Sequence, residues 1–319
     1  MAQTGSARFG TIEHIGMYGS VYVRRLIGLG VLLAVLILIW TPQLVSVDRL
    51  LAQVFVAGSE YGSPYLQIHF LDVGQGDAVL IHTPDDVQLL VDGGLDRRVL
   101  NRLGEVLSPL DRQIDMIIGT HPHADHIGGL VDVLHRFTVD HILITENRLP
   151  TEVSDRFFAA VEREAAAGAQ VYNARAGQVF RLGASTTVHV RSPRYDATDM
   201  DADASSVVVQ VRYGDTAVML TGDAPIAIED YLVEQYGSGL ASDILKLGHH
   251  GSRTSSGPLF LDAVSPEYGV TSAGRDSRHG HPHEEVVERV LARGITHVTT
   301  QTAGTITFKS DGTSVWLRE

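Results

Sequence analysis

The sequence predicts an α/β fold of two packed β-sheets with helices on the outside, preceded by one transmembrane helix. Three observations lead to this prediction. After residue 65 the chain runs through two consecutive halves, each made of short β-rich segments followed by helical patterns. Residues 26–47 contain no charged residue. The 319 residues, 44% hydrophobic and 20% charged, have the composition of a globular protein, which excludes disorder for most of the chain.

The N-terminal region divides into three predicted parts. Residues 1–25 carry scattered glycines and no sustained apolar period, so we expect a flexible tail. Residues 26–47 predict a membrane-spanning signal anchor, because about 20 apolar residues suffice to cross about 30 Å of hydrocarbon. Residues 48–64 are expected to be a linker to the folded domain at 65–319. Arg24 and Arg25 precede the apolar segment, and Trp40 stands near its far end.

Two alternatives compete with the membrane helix. A secretory signal peptide has a similar apolar core, but no small-x-small cleavage site follows closely here. A buried core helix is rarely apolar on every side for so long. If Arg24 and Arg25 stay in the cytoplasm, the folded domain lies on the extracytoplasmic side of the cell membrane, although Arg49 on the other flank weakens this orientation. We therefore expect a single-pass membrane protein.

The folded domain is predicted element by element from apolar period and turn residues. The first half has strands at 66–70, 78–82, 88–91 and 114–119 and helices at 127–136 and 153–167. The second half has strands at 178–181, 186–191, 206–213, 217–220 and 244–247, helices at 225–236, 258–264 and 283–293, and strands at 297–300, 305–309 and 314–317. The polar residues 194–204, here called the acidic loop, are expected to be an exposed connection between the halves.

Composition limits the chemistry of any functional site. The chain has no cysteine, which excludes disulfides, thiol nucleophiles, iron–sulfur clusters and cysteine zinc sites. It has 15 histidines and a formal charge of −13. Residues 1–50 carry four arginines against Glu13 and Asp48, so the remainder carries −15. Such a surface repels polyanions unless basic residues or metal ions are gathered locally.

The strongest functional signal is THPHADH at 120–126, where an apolar strand ends and a helix begins. Three imidazoles and a carboxylate in a strand-end loop can diverge toward two metal positions, with His121 and His123 on one side and Asp125 and His126 on the other. Mixed nitrogen and oxygen ligands suit Zn²⁺ or Mn²⁺. A histidine-rich loop without metal, or a helix N-cap at Asp125, is the alternative interpretation.

Three further polar clusters follow apolar strands: VDGG at 91–94, LTGD at 220–223 and KLGHHGS at 246–252. Each sets a carboxylate or imidazole just past a strand end, where open α/β folds collect ligands. VDGG and TGD alone are ordinary turn sequences. Their order around HPHADH makes them a candidate site.

With these motifs the chain resembles the metallo-β-lactamase fold superfamily and, more narrowly, the C-terminal hydrolase domain of ComEC-type competence proteins. The matching stretches are IHFLDVGQGDAVLI (68–81), LLVDGG (89–94), THPHADHIGGL (120–130), SSVVVQVRYGDTAVMLTGD (205–223), DILKLGHHGSRTS (243–255) and HGHPHEEVVERV (279–290). The resemblance covers about residues 65–315. It implies a four-layer αββα sandwich and two divalent metal ions, Zn²⁺ or Mn²⁺.

The resemblance also implies roles for individual residues. His121 and His123 would bind the first metal, Asp125 and His126 the second, and Asp223 would bridge them. Either His249 or His250 would complete the second site; we favour His250 as the ligand and His249 as a substrate contact. Asp92 and Asp77 would orient ligand histidines from behind. Apart from the resemblance, we expect Lys246 just behind the metal ligands, where it could steady phosphoryl oxygens or merely extend from its strand.

One departure from the superfamily concerns a histidine that many members have between HxHxDH and the bridging aspartate. Here the only candidate is His189, which we interpret as a packed or solvent-facing strand residue. The ComEC-like branch also tends to lack this ligand and has a small polar residue in the stretch corresponding to 204–207. His281 or His283 could approach the first metal from the C-terminal loop, and His281 could instead contact substrate.

The expected activity is hydrolysis of a phosphodiester by a metal-bound hydroxide, because two cations make a positive well in an acidic domain. Asp125, His249 and His281 are the candidate catalytic residues. The resemblance implies DNA as substrate and the DNA-uptake machinery as partner, although one membrane helix cannot form a translocation pore. The alternatives are hydrolysis of a lactam, thioester or lactone, or a non-catalytic accessory module.

Overall fold

The computed structural model of the chain describes residues 12–14, 63–275 and 277–318. Most of the predicted tail, the predicted membrane helix at 26–47 and nearly all of the predicted linker lie outside these residues. Within the described residues no helix is both long and apolar enough to cross a membrane. Ile12–His14, inside the predicted tail, forms strand β1 at one edge of a sheet.

The described residues form two β-sheets of eight strands each. The first sheet has the order β16-β15-β2-β3-β4-β5-β6-β7 and the second β1-β8-β9-β10-β11-β12-β13-β14. The strands of the first are β2 (Leu66–Phe70), β3 (Val79–His82), β4 (Gln88–Val91), β5 (Gln113–Gly119), β6 (Thr138–Ile144), β7 (Gln170–Asn173), β15 (Ile306–Ser310) and β16 (Val315–Leu317). Those of the second, besides β1, are β8 (Val179–Leu182), β9 (Thr186–Ser192), β10 (Val208–Tyr213), β11 (Thr216–Leu220), β12 (Ile244–Lys246), β13 (Tyr268–Thr271) and β14 (Thr296–Thr299).

Three apolar cores hold four layers together. The largest lies between the sheets, where Phe70 and Phe308 meet Phe180 and Val209. A second lies between the first sheet and helices α1 (Arg98–Val106), α2 (Ala124–Arg136) and α3 (Glu152–Ala167). The third lies between the second sheet and helices α4 (Ile226–Tyr236), α5 (Pro258–Val264) and α6 (Glu284–Leu291). A one-turn helix, α7 (Thr300–Ala303), follows β14. The predicted sandwich of two sheets with outer helices is therefore confirmed.

The strands and helices predicted after residue 65 all occur, with ends shifted by a few residues, but α1, α7, β6, β7 and β13 were not predicted. β6 follows α2 after the single residue Phe137, so no turn sequence separates the two patterns. β7 is a four-residue strand with mostly exposed side chains, and β13 is equally short and contains Gly269. α1 is highly charged and contains Gly104. In β7, β13 and α1 the apolar period is too short or too interrupted to be recognised.

A close backbone contact joins α2 to the turn after β4 and so positions the HPHADH segment. The amide of Gly93 donates to the carbonyl of His126 at 2.7 Å, and the amide of Gly129 donates to that of Gly94 at 2.9 Å. A Cβ on Gly129 would lie 2.0 Å from the oxygen of Gly93. The glycines after His126 are therefore required for the helix to lie against the VDGG turn.

We expect Gly129→Ala to lower the free energy of unfolding by about 2 kcal/mol or more, because its Cβ would overlap backbone that cannot move aside. Gly104→Ala is the matched control, since Gly104 lies in α1 with nothing within 4 Å of a Cβ. It should raise the free energy of unfolding by about 0.5–1 kcal/mol, as alanine favours the helix. Urea unfolding measures both changes, and equal effects of the two substitutions would contradict this packing.

Candidate metal centre

The predicted site residues come together where strands of both sheets end. The first sheet contributes Asp92 after β4 and the HPHADH segment after β5. The second contributes Asp223 after β11 and His249 and His250 after β12. β4 and β5 are parallel neighbours, and so are β11 and β12, so the residues after each pair emerge on one edge of their sheet. The site is thus built from loops far apart in sequence.

The first group of potential ligands is His121, His123 and Asp203, with one ligand atom of each within 4.8 Å of the others. His121 Nε2 lies 3.0 Å from His123 Nδ1, and Asp203 Oδ1 lies 3.0 Å from that same Nδ1. The pair His121 and His123 was predicted to act together. Asp203 was not predicted, because the acidic loop was interpreted as an exposed connection.

The second group is Asp77, His126, Asp223 and His250, again with ligand atoms within 4.8 Å of one another. His126 Nε2 lies 3.3 Å from Asp223 Oδ1, and His250 Nε2 lies 3.2 Å from Asp125 Oδ2. Asp223 Oδ2 is also 3.9 Å from His121 Nε2 in the first group. Asp223 therefore lies between the two groups, in the position expected of a bridging carboxylate.

Two buried aspartates hold the ligand histidines from behind. Asp92 accepts the amide and hydroxyl of Thr120 at 2.9 and 2.7 Å and lies 2.8 Å from His126 Nδ1. His250 Nδ1 lies 3.1 Å from Asp77 Oδ1 and 3.0 Å from the carbonyl of Ser272. When these Nδ1 atoms donate, the Nε2 atoms carry a lone pair toward the site. Both aspartates therefore lie where the resemblance implied.

Lys246 supports the site from the same side. It is only 1% exposed, and its Nζ lies 2.9 Å from Asp77 Oδ2 and donates to the carbonyl of Leu247. This buried position behind His250 fits a supporting residue. It does not fit the expected contact with phosphoryl oxygens, because the ammonium is turned away from solvent and toward Asp77.

The charges of the centre depend on one another. Burial disfavours the charged form of Asp223, but His126 and His250 outweigh it and hold its pKa well below the usual value. Burial likewise opposes the charge of His250, yet Asp223 and Asp77 raise its pKa to about 9. His121 has a pKa well below its usual value, first because it is buried and second because His126 is close. The buried carboxylates stay charged only because cationic groups are close, and metal ions could supply the same positive charge.

The two adjacent histidines differ in exposure. The His250 side chain is 2% exposed and faces the second group, whereas that of His249 is 27% exposed. His249 Nδ1 lies 3.5 Å from Asp203 Oδ2, and its Nε2 lies 3.6 Å from Asp223 Oδ2. This agrees with the preference for His250 as the second-site ligand. His249 lies on the open side and can reach either a substrate or a cation near Asp203 and Asp223.

The C-terminal loop brings His281 to the same opening. Its ring centroid is 5.5 Å from that of His249 and 6.1 Å from that of His250, and its buried Nδ1 has no hydrogen-bond partner. Burial, followed by the neighbouring histidines, lowers its pKa to about 4. His283 instead accepts the amide of Arg253 through Nδ1. Of the two histidines considered for this loop, His281 is thus the one beside the site.

His189 lies away from the centre, as its strand pattern predicted. It is on β9 opposite Gln210, its Nε2 is 3.1 Å from the hydroxyl of Thr187, and burial followed by Arg191 and Arg212 lowers its pKa to about 4. Asp203 occupies the place beside His121 and His123 that a further ligand would take. The only signal for it was a run of aspartates shortly before β10, a pattern more typical of a solvated loop.

The side chains present fit divalent cations. Four buried atoms of the centre approach polar neighbours at 3.0–3.3 Å but are not aligned for a hydrogen bond: His126 Nε2, His250 Nε2, Asp203 Oδ1 and Asp223 Oδ1. A buried polar atom without a partner costs about 1–3 kcal/mol, and these four are imidazole nitrogens and carboxylate oxygens directed at a common space. Such donors bind zinc, manganese or iron. The residues could hold one cation at each group, sharing Asp223.

Comparisons with known proteins find relatives of this chain. The profile described as the Metallo-beta-lactamase superfamily matches residues 71–275. ComE operon protein 3 of Bacillus subtilis (strain 168) is 28% identical over 76% of this chain and 33% of its own length. Competence protein ComA of Neisseria gonorrhoeae is 33% identical over 74% of this chain and 31% of its own length. The chain thus spans about a third of the length of these relatives. The predicted family resemblance is confirmed.

Solved structures are similar at lower identity. Zn(2+)-bound PqqB from Methylobacterium extorquens is 14% identical, with a TM-score of 0.48 over 70% of this chain and 85% of that one. CmlA, a diiron beta-hydroxylase from Streptomyces venezuelae, is 17% identical, with a TM-score of 0.47 over 73% of this chain and 52% of that one.

Glu229 anchors the segment that follows the two histidines. Its side chain is fully buried in α4 and accepts the amides of Ser256 and Gly257, each at 2.7 Å. The hydroxyl of Ser256 in turn accepts the amide of Gly248. Burial raises the pKa of Glu229 to about 7 although both amides favour the carboxylate. The carboxyl group is therefore protonated in the folded protein below neutral pH.

A raised pKa in the folded state stabilises the protein below the unfolded value of about 4.5, and this contribution is lost as pH rises to about 7. The free energy of unfolding of wild type relative to Glu229→Gln should therefore fall by about 3 kcal/mol across this window. Urea unfolding of the metal-stripped proteins between pH 4.5 and 8 measures the difference. Glu234→Gln, at an exposed position of the same helix, should give a curve parallel to wild type. If the stability curve of Glu229→Gln also ran parallel to that of wild type, the raised pKa of Glu229 would be contradicted.

Proposed function

The chain belongs to the metallo-beta-lactamase superfamily, and on this premise we propose that it is a metal-dependent phosphodiesterase that acts on DNA. The proposal includes two cations, Zn²⁺ or Mn²⁺, one at each ligand group. It rests chiefly on one observation: four buried ligand atoms without hydrogen-bond partners converge on the space around Asp223. A module retained only for assembly would have no reason to keep these atoms unpaired.

The ligand residues divide between the two cation positions. His121, His123 and Asp203 would hold the first cation, and His126 and His250 the second, with Asp223 shared. Asp125, 3.2 Å from His250 Nε2, would be the further ligand of the second cation in place of Asp77, which contacts His250 Nδ1 from behind. When bound, such ions supply Lewis acidity and a water that loses a proton near neutral pH. Substrate binding and proton transfer are left to the side chains of the protein itself.

The open side of the centre has residues suited to substrate and proton. The Asp125 side chain is partly exposed, and its Oδ2 lies 3.2 Å from His250 Nε2, so that this imidazole holds the pKa of Asp125 below the usual range despite burial. It can accept a proton from an attacking water. His249 and His281 face the same opening and can donate hydrogen bonds to phosphoryl oxygens. Hydrogen-bond donors of this kind stabilise charge that develops in a phosphorane-like transition state.

The charge of the chain favours a substrate recognised at the metals. The part after residue 50 carries −15, so a polyanion is repelled by most of the surface and attracted only where cations are concentrated. A phosphodiester, whose reacting atoms carry the negative charge, is attracted there. A neutral lactam or lactone is attracted less strongly by two cations, and we therefore rank hydrolysis of those bonds second.

The N-terminal sequence and the relatives support a proposal for location and partners. We propose that residues 26–47 anchor the protein in the cell membrane, with the hydrolase domain on the extracytoplasmic side. Relatives named as competence and ComE operon proteins support a partner in DNA-uptake machinery, in which this domain would degrade one strand. The charge-free segment and the preceding Arg24 and Arg25 support the orientation.

We expect the full chain in mild detergent, stripped of metal and reloaded with Zn²⁺ or Mn²⁺, to hydrolyse bis-p-nitrophenyl phosphate and single-stranded DNA but not nitrocefin. A chelator should abolish turnover, and added metal should restore it. His121→Ala and Asp125→Ala should each lower kcat/KM by about 100-fold or more, because each removes a ligand and distorts the remaining charges.

His189→Ala is the control, because it removes a histidine of the same domain that lies away from the centre. Its kcat/KM should remain within about twofold of wild type. Turnover of nitrocefin alone would replace this proposal with lactam hydrolysis. No metal-dependent turnover of any of the three compounds would favour the accessory module.

A further inference from the structure

We infer that Asn147 is a positioning residue for the first cation position, because its side-chain amide fastens the acidic loop that carries Asp203. The inference deepens the proposed function and rests on its metal-binding part. Asn147 lies between β6 and α3, 56 residues before Asp203 in sequence and outside every motif of the site. Its role is therefore visible only in the folded chain.

The end of the acidic loop nearest the site is tied directly to other site loops. Asp203 begins a short 3₁₀ turn, Asp203–Ser205, and the amide of Asp203 donates to Asp201 Oδ1. Just beyond it, the hydroxyl of Ser206 accepts the amide of Asp223 at 3.1 Å, and the amide of Val207 donates to the carbonyl of Thr120 at 2.9 Å. One side of Asp203 is thus fixed by the residues that carry the other ligands.

The far side of the loop is fixed by Asn147. Its Nδ2 donates to the carbonyl of Met200 at 2.6 Å and to that of Ala197 at 3.2 Å. The amide of Met200 itself donates to the carbonyl of Ala197, so a single side chain holds both ends of one turn. Asn147 is 3% exposed, and an apolar replacement would leave its two carbonyl partners without this donor in a buried place.

A second fastening lies beside the first. Glu146 pairs with Arg175 through both carboxylate oxygens and accepts the amide of Ala197 at 3.5 Å. The consecutive residues Glu146 and Asn147 therefore hydrogen-bond the same turn from one side. Their contacts with the acidic loop are to backbone groups, so they fix the path of the loop backbone and leave the loop side chains free.

The loop needs such constraint because of its charge. Asp196, Asp199, Asp201 and Asp203 all lie in it, and Asp203 approaches a centre that already contains Asp125 and Asp223. Like charges repel, and they would draw an unfastened loop toward solvent in the absence of a cation. By holding the turn at 197–200, Asn147 keeps Asp203 Oδ1 3.0 Å from His123 Nδ1. This preorganisation should appear as affinity for the first cation.

The test is a Co²⁺ titration of the metal-stripped full chain in mild detergent, followed by calorimetry and visible absorption. Wild type should bind two equivalents. Asn147→Ala should weaken one equivalent by about 10–100-fold and leave the other within about twofold, because a residue behind a ligand typically changes affinity by that amount. Asp203→Ala should weaken the same equivalent, recognised by its absorption band. Arg175→Gln, at a partly exposed position, should have a smaller effect on it.

Asn101→Ala is the matched control, since Asn101 lies exposed on α1. This variant should bind both equivalents of Co²⁺ with the affinities of wild type. Two unchanged equivalents in Asn147→Ala, an equal loss of both, or a loss at the equivalent that Asp203→Ala leaves intact would each overturn the inference. If wild type binds no Co²⁺, the proposed metal centre itself fails, and that outcome is distinct from a failure confined to Asn147.

Discussion

The arrangement depends on one buried carboxylate, that of Asp223, among four imidazoles. Its two oxygens lie 3.3–3.9 Å from Nε2 of His121, His126, His249 and His250. No member of this set is stable alone in a buried place, because an unpaired charge or an unpaired polar atom is costly there. The histidines come from two sheets, so the set exists only when both sheets are packed. The centre and the fold therefore support each other.

A second layer makes this arrangement rigid. Asp92 and Asp77 lie behind His126 and His250, and Lys246 neutralises Asp77 in turn. Asp92 is linked through Thr120 to Val207, next to the loop that carries Asp203. Removing one partner from such a chain leaves another charge buried without compensation. This explains why so many charged residues are buried in a domain whose surface is already strongly acidic.

Much of the fold and of the site could be predicted from sequence, because the motifs are local. Ligands that lie within a few residues of each other, as in HPHADH, can be recognised in the sequence, and so can strands with a clear apolar period. Asp203 could not be found in this way. Its neighbours Asp199 and Asp201 are exposed, and what distinguishes it is a backbone path fixed by Asn147, which leaves no trace in the local pattern. The direction of Lys246 was uncertain for the same reason, since its partner Asp77 is 169 residues away.

The turn that carries the two adjacent histidines has a further consequence. His249 and His250 both have left-handed backbone, with φ of 49° and 56°, a region that costs a non-glycine residue about 1 kcal/mol or more. Glycine would meet no such cost at either position. Both positions instead carry imidazoles near Asp223, so this turn gives up backbone stability in order to place two aromatic bases at the end of one strand.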